Sequence, residues 1–171
     1  MGDKTTRIYR RRGEVLELER EFHHGDVLAT RVVFDAPGER LLTCGADGLG
    51  RIQRIDGKGS PIVLRGHESG LNGIMGSPDG RFVVTTSLDG TARLWRADTG
   101  EQLQVLDASD GIPNHASFTP DSRRVLVGSS NGTARFWFTD TVDLRRAAAT
   151  RSSRELNDTE RERFAELLGG R

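Results

Sequence analysis

Four histidines are the residues of this chain best suited to chemistry, as metal ligands or as general bases. His23 and His24 are adjacent, His67 lies well downstream, and His115 precedes a later apolar segment. A metal site needs three or four ligands that converge on one point. Histidines set one repeat length apart belong to different structural units instead. The spacing predicts no metal site, and we expect His67 to satisfy buried polar groups within its own unit.

Other motifs that could carry chemistry are incomplete. The Asp-Gly pairs at 47–48 and 89–90 lack the ligand spacing of a calcium loop. The glycine-containing stretch 45–50 lacks the lysine and the following helix of a phosphate-binding loop. No nucleophile elbow or Ser, His and Asp arrangement is present. The sequence therefore predicts no catalytic residue, no metal and no cofactor.

A repeat with a period of 42 residues organises the chain. Residues 47–54, 89–96 and 131–138 align without a gap, and residues 3–10 have the same pattern 44 residues before the first of these. An arginine recurs at one place in each aligned copy, as Arg51, Arg93 and Arg135. A fixed period of this length is typical of stacked structural units.

Residues 65–107 are the clearest copy and predict a sheet of four antiparallel strands. Short apolar runs occupy 73–75, 81–85, 92–95 and 102–106, and each is too short for a helix. Between them, residues 77–80, 88–90 and 98–100 combine Asp or Pro with Gly, as β-turns require. One such sheet cannot bury enough apolar surface alone, so we expect the units to stack face to face.

This unit resembles the blade of a WD-repeat β-propeller. Three segments carry the resemblance, which extends over residues 3–139: Arg65-Gly66-His67, Ser77-Pro78-Asp79-Gly80-Arg81 and Asp89-Gly90-Thr91-Ala92-Arg93-Leu94-Trp95. The resemblance implies a chain of hydrogen bonds inside each blade, formed by a His, a Ser or Thr, an Asp and a Trp. One copy keeps all four residues, as His67, Thr85 (or Ser87), Asp89 and Trp95.

The resemblance implies only partial hydrogen-bond chains in the other copies. The copy before this one has Gln53 at the tryptophan position, and the copy after it has no histidine where one is expected. We expect those blades to be stabilised more by packing than by polar contacts. Their remaining members are His24, Thr43 and Asp47 in one copy, and Asn131 and Trp137 in the other.

The expected fold is an all-β, incomplete WD-repeat propeller of about three and a half four-stranded blades, followed by a short helical tail. Residues 1–140 form the propeller, with a half blade at 3–22 and blades at about 23–66, 67–108 and 109–140, and residues 141–171 form the tail. We interpret the chain as the C-terminal portion of a larger propeller, or as a truncated reading frame. The ends of such a stack leave apolar faces uncovered, which favours further blades or self-association.

The tail changes to a helical pattern. Residues 143–150 predict a short helix, and a second helix begins at Asn157 with Glu160 as its capping-box partner. Phe164, Leu167 and Leu168 form one apolar stripe on it. Residues 154–160 are similar to the tail that follows propellers in bacterial signalling proteins with a nucleotide-switch or Ser/Thr-kinase module. That similarity indicates a larger signalling or regulatory protein.

The charge composition limits the classes of partner that the sequence predicts. Lys plus Arg equals Asp plus Glu, at 25 each, so the formal net charge is zero. Binding to nucleic acid or to an anionic membrane depends on accumulated positive charge, so neither is predicted. The single cysteine, Cys44, excludes an internal disulfide and is expected to be a buried thiol. No cleavable signal is recognisable, and we expect a cytoplasmic protein.

Three functions remain open. The first is a non-catalytic scaffold for protein or peptide partners, with Arg51, Arg93 and Arg135 either contacting the partner or merely solvating a strand edge. The second is a propeller-based hydrolase with its site at the central channel, which needs acidic or histidine residues from several blades. The third is a degenerate, truncated fragment without an independent role.

Overall fold

The computed structural model describes residues 4–23, 27–107 and 111–140. Over these ranges the chain forms thirteen strands: β1 (Thr5–Arg12), β2 (Val15–His23), β3 (Ala29–Phe34), β4 (Arg40–Gly45), β5 (Gly50–Arg54), β6 (Ile62–Leu64), β7 (Leu71–Gly76), β8 (Phe82–Ser87), β9 (Thr91–Arg96), β10 (Gln102–Asp107), β11 (Pro113–Phe118), β12 (Arg124–Ser129) and β13 (Ala134–Phe138). The part of the chain that the structure describes contains no helix able to span a membrane.

The strands form four antiparallel sheets in chain order. β1 and β2 form a hairpin, β3–β6 the first blade, β7–β10 the middle blade and β11–β13 the last blade. Within the described residues the last blade has three strands, so its third strand β13 has no outer neighbour there. The all-β, incomplete propeller predicted from the sequence is confirmed. The predicted helical tail, at 141–171, lies outside the described residues.

Tight turns connect the second and third strands of each blade. Gly48, Gly90 and Gly132 follow Asp or Asn in these turns and have φ angles of 75°, 85° and 82°. This left-handed backbone favours glycine because a β-carbon would be strained there. The turn therefore fixes which residues of the paired strands face each other, and Thr43, Thr85 and Val127 all oppose the repeated arginine of their blade.

The blades stack through two apolar clusters that share the middle blade. On one side, Trp95, Ile74 and Val83 pack against Leu42 and Ile52 of the first blade. On the other side, the buried set comprises residues of the middle and last blades: Phe82, Val84, Ala92, Leu94, Leu106, Ala116, Val125 and Val127. Alternate residues of a strand face opposite sides of the sheet. Each blade is therefore apolar on both faces.

A part-buried ion pair joins the first blade to the middle blade. Arg40 Nε lies 2.6 Å from Asp35 Oδ2, and the Asp35 side chain is only 2 % exposed. The same guanidinium donates to the carbonyls of Gly80, at 2.6 Å, and Ala97, at 3.3 Å, in the middle blade. Asp35 also accepts the backbone amides of Glu39 and Arg40, so its charge is fully surrounded by donors.

The sequence placed the strands of the middle blade within a few residues of their observed bounds. The run at 73–75 belongs to a strand that extends over Leu71–Gly76, and the run at 81–85 to one over Phe82–Ser87. The differences arise at strand ends, where Leu71 and Ser87 pair with each other beyond the apolar runs. Strand ends are defined by hydrogen bonding, which apolar patterning does not report.

Candidate functional site

A continuous chain of hydrogen bonds crosses the middle blade. Trp95 on β9 donates its indole N–H to Thr85 Oγ1 on β8, at 2.8 Å. The Thr85 hydroxyl lies 2.7 Å from Nε2 of His67, in the loop before β7. Nδ1 of His67 lies 2.7 Å from Oδ2 of Asp89, in the turn between β8 and β9. The four side chains thus connect the loop before β7, the strands β8 and β9 and the turn between those strands.

The direction of each hydrogen bond follows from its first donor. An indole can only donate, so Thr85 accepts from Trp95 and donates its own proton to Nε2 of His67. His67 then carries its proton on Nδ1 and donates it to Asp89. Burial lowers the pKa of His67, although the neighbouring Asp89 carboxylate opposes this effect. A neutral imidazole satisfies every member of the chain.

Asp89 is the most strongly held member. Burial alone would raise the pKa of its carboxyl, but hydrogen bonds from Thr91 and His67 outweigh this and hold the pKa far below its usual range. Oδ1 accepts from Thr91, at 2.8 Å from the amide and 2.7 Å from the hydroxyl. Oδ2 also accepts the amide of Glu68, at 3.1 Å. The carboxylate therefore closes the turn and anchors the loop that carries His67.

The structure distinguishes the two hydroxyls that the sequence left open. Ser87 donates to the carbonyls of Ser69 and Gly70 at 3.1 Å and accepts the amide of Asp89, whereas Thr85 contacts both His67 and Trp95. Both side chains are fully buried. Thr85 is therefore the hydroxyl in the chain, and Ser87 stabilises the loop before β7.

The first blade brings together a different set. Thr43 is buried on β4 at the position of Thr85, and Gln53 is half-buried at the position of Trp95. Asp47 pairs with Arg51 at 2.6 Å. Burial would raise the pKa of Asp47, but the hydrogen bonds from Arg51 and from the Leu49 amide lower it. The remaining partial member, His24, lies outside the described residues.

In the last blade the threonine position is apolar. Val127 is buried on β12 where the middle blade has Thr85. Asn131 closes its own turn by accepting from Thr133, at 3.1 Å from the amide and 2.7 Å from the hydroxyl. Trp137 is half-buried and packs against the cluster that contains Leu94. The sequence analysis did not identify Val127 as the residue at the threonine position. The 42-residue period predicts it, because Val127 lies 42 residues after Thr85.

The three repeated arginines occupy equivalent positions on β5, β9 and β13. Arg93 donates to Gln102 Oε1 at 2.7 Å and lies 4.0 Å from Asp89. Arg51 is paired with Asp47, and Arg135 is exposed. The first two guanidinium groups thus brace the turn or outer strand of their own blade. Their contact with a partner stays a prediction.

Exposed aliphatic side chains lie at the upper end of the blades, defined here as the end with the turns at 45–49, 87–90 and 129–132. Leu28 is 58 % exposed, Leu88 56 % and Ile112 40 %. Leu28 and Ile112 directly precede the first strands of their blades, and Leu88 follows the second strand of the middle blade. The position before the first strand and the position after the second strand are adjacent in the fold. In the middle blade the residue before the first strand is Gly70, and its carbonyl accepts the Leu88 amide. Each blade therefore presents one large aliphatic residue there.

The comparison with protein families agrees with this geometry. The model of the WD domain, G-beta repeat, matches residues 60–96 and 100–137. These two segments of the chain are WD repeats. No curated protein sequence matches it.

The WD-repeat matches are offset from the blades by one strand. Residues 60–96 contain β6 of the first blade and β7–β9 of the middle blade. Residues 100–137 contain β10 of the middle blade and β11–β13 of the last blade. Each WD repeat thus supplies the outer strand of one blade and three strands of the next. Neighbouring blades are therefore linked both covalently and by packing.

Proposed function

We propose that this protein is a non-catalytic scaffold that binds protein or peptide partners at the upper end of its blades. The observation that supports it best is the row formed by Leu28, Leu88 and Ile112, one large aliphatic residue for each of three blades. Large aliphatic residues that water still reaches, placed together on a rigid surface, are typical of protein interaction sites.

The rigidity of this surface comes from the polar chain beneath it. The turn that carries Leu88 ends at Asp89, whose carboxylate is held by Thr91, His67 and the Glu68 amide. A surface fixed in this way loses little conformational entropy on binding. A partner segment with apolar side chains therefore fits this end of the molecule.

The proposal includes a wider setting. We propose that the chain acts in the cytoplasm, within a larger bacterial signalling or regulatory protein, and the resemblance of residues 154–160 supports this. Nucleic acid and anionic membrane are not among the proposed partners, because the formal net charge is zero. Further blades or a second copy of the chain are proposed to cover the two end faces of the stack.

A selection from a displayed peptide library tests the upper-end site. Peptides retained by the wild-type chain should carry apolar anchors and should lose binding to the double variant Leu88→Asp, Ile112→Asp. Val105→Asp is the matched control, since Val105 is 46 % exposed but lies on the outer strand β10. Peptides that bind the double variant as well as the wild type, or that are lost equally with Val105→Asp, would contradict the proposed site.

A further inference from the structure

We infer that a pocket at the inner edge of the blades binds a carboxylate, with Arg31 as its cation and Gly73 as its floor. The occupant is a short acidic side chain, Asp or Glu, of the partner segment that binds at the upper end. The choice of that occupant rests on the proposed function, whereas carboxylate binding itself rests on the pocket alone.

The first strand of each blade forms one edge of its sheet, called here the inner edge. The inner strands of neighbouring blades lie side by side. Thr30 Oγ1 donates to the Leu71 carbonyl at 2.7 Å, and Asn72 Nδ2 donates to the Pro113 carbonyl at 3.0 Å. Side chains from all three inner strands can therefore contribute to one site.

One repeat position of the inner strands has a different residue in each blade. Arg31, Gly73 and His115 pair in the same way with the second strand of their blades. The glycine leaves space between its neighbours because it has no side chain. A β-carbon at Gly73 would lie 2.5 Å from Oγ1 of the buried Thr86. Glycine at this position therefore keeps the space open.

This space is a small pocket that opens to solvent. It has room for about one water-sized group. Its lining includes Gly73, Met75, Val84 and Thr86 of the middle blade, Ala116 of the last blade and Arg31 of the first blade. Most of these side chains are apolar, so the pocket favours carbon over a polar atom.

Arg31 brings a positive charge to the pocket. It is half-buried, and within the described residues no carboxylate pairs with it. Arg40 and Arg51, by contrast, each lie 2.6 Å from a carboxylate oxygen. A guanidinium that has lost part of its water gains from a carboxylate, because charge-assisted hydrogen bonds are the strong ones. The ligand expected at Arg31 is therefore an anion.

The polar groups around Gly73 give the ligand a direction. Thr86 donates its hydroxyl proton to Asn72 Oδ1 at 2.6 Å, so it has no proton left for an anion. His115 also borders the pocket, but its neighbour Ala116 packs toward the middle blade, and adjacent strand residues face opposite ways. The carboxylate thus binds at Arg31, and a methylene group enters the space at Gly73. An inorganic anion satisfies the first requirement only.

The pocket lies close to the proposed peptide site. Arg31 follows the exposed Leu28 by three residues, and β3 begins between them, at Ala29. Three residues of a strand span about 10 Å. An extended partner segment covers the same distance with three of its own residues. The partner motif expected here is an apolar residue with Asp or Glu about three positions away.

Nuclear magnetic resonance of the full-length chain tests the carboxylate site directly. The probe is N-acetyl-glutamate N-methylamide, and the corresponding glutamine compound is its neutral control. The acid should shift the Gly73 amide and Arg31 Nε–H signals saturably, and the neutral compound should not. Arg31→Gln should abolish the Gly73 shift. Arg54→Gln removes the same charge from an exposed pair at the opposite end of β5 and should keep that shift.

Peptides selected for the upper-end site test the occupant. Those retained by wild type should carry Asp or Glu about three residues from the apolar anchor. Replacing that acid with its amide should weaken binding to wild type by about tenfold or more, and binding to Arg31→Gln far less, as expected for hydrogen bonds to a charged group. Added salt should weaken the wild-type complex more than the Arg31→Gln complex.

Two results would overturn the inference. A Gly73 signal that the acid leaves unchanged, or that still shifts in a folded Arg31→Gln variant, would show that the pocket is not a carboxylate site. Selected peptides without an acidic residue would show that the occupant is not an acidic side chain. The upper-end site fails on a different result, peptide binding that survives the Leu88→Asp, Ile112→Asp double variant. The small acid reports on Arg31 and Gly73 in either case.

Discussion

Leu94 and Phe136 occupy the same position on the third strands of consecutive blades, yet Leu94 is fully buried and Phe136 is 59 % exposed. Both residues pair with the second strand of their blade, but Leu94 also has the outer strand β10 beside it and the last blade packed on it, and within the described residues Phe136 has neither. Each blade thus depends on the next for the burial of its apolar face. Stability is therefore expected to be lowest where a face has no neighbour.

Trp95→Ala should be the most destabilising change at the repeated aromatic position. Trp95 is 1 % exposed and donates to Thr85, so its removal leaves a cavity and takes away the hydrogen bond that the Thr85 hydroxyl accepts. We expect a loss of about 3 to 5 kcal/mol in the free energy of unfolding, measured by urea denaturation. Trp137→Ala should cost less because Trp137 is half-buried, and Gln53→Ala least. Gln53→Ala as the worst of the three would show that the repeat register is wrong.

Thr85→Val should cost about 1 to 3 kcal/mol, because it removes an acceptor for Trp95 and a donor for His67 while both remain buried. The last blade provides the matched control. Val127→Thr restores the hydroxyl at the equivalent position but supplies no histidine partner, so it should not stabilise the protein. Equal stability of Thr85→Val and wild type in thermal melts would contradict a stabilising role for the polar chain.

Acid should weaken the fold through His67 before it does so through Asp89. The folded pKa of His67 lies below its ordinary value of 6.5, so the unfolded chain binds more protons as the pH falls from there. Stability thus falls with pH in that window. The folded pKa of Asp89 is also lowered, so its contribution is lost only below its ordinary value of 3.8.

Urea midpoints measured across these windows give the test. His67→Gln should be less stable at neutral pH and should flatten the dependence just below pH 6.5. The exposed His23 provides the control, and His23→Gln should keep the wild-type dependence. If the stability of His67→Gln depends on pH in the same way as that of wild type, another group causes the acid sensitivity.

Arg40→Ala should destabilise the contact between the first and middle blades. Asp35 would remain buried without its cation, and the carbonyls of Gly80 and Ala97 would lose a donor. We expect a cost of about 2 to 4 kcal/mol, slightly under that of a fully buried pair because Arg40 is one-fifth exposed. Arg81 pairs with Asp79 in the same way, but its side chain is 69 % exposed. Arg81→Ala should therefore cost at most about 1 kcal/mol in the same denaturation assay.

Local patterns explain what the sequence could predict. The strands follow from short apolar runs between Asp-Gly turns, and both signals come from residues close in the chain. The set His67, Asp89 and Trp95 was predicted from the resemblance to WD-repeat blades, because these residues stand at the matching motif positions. Choosing Thr85 over Ser87 required the loop positions, since both side chains are buried on the same strand.

Contacts between blades could not be predicted in the same way. Arg40 reaches Gly80 and Ala97 through backbone carbonyls, which have no side-chain signature in the sequence. The row of Leu28, Leu88 and Ile112 was missed because its members alternate between two repeat positions that only the folded turn makes adjacent. Sequence periodicity compares equivalent positions and does not detect such a pair.

Cys44 lies sealed between the first and middle blades, 1 % exposed, and burial raises the pKa of its thiol. A thiol reagent can reach it only after those blades part, and no other cysteine in the chain competes for the reagent. The rate at which Cys44 of the unmodified protein is alkylated therefore reports how often the first and middle blades separate. Arg40→Ala should increase that rate, and the experiment needs no engineered label.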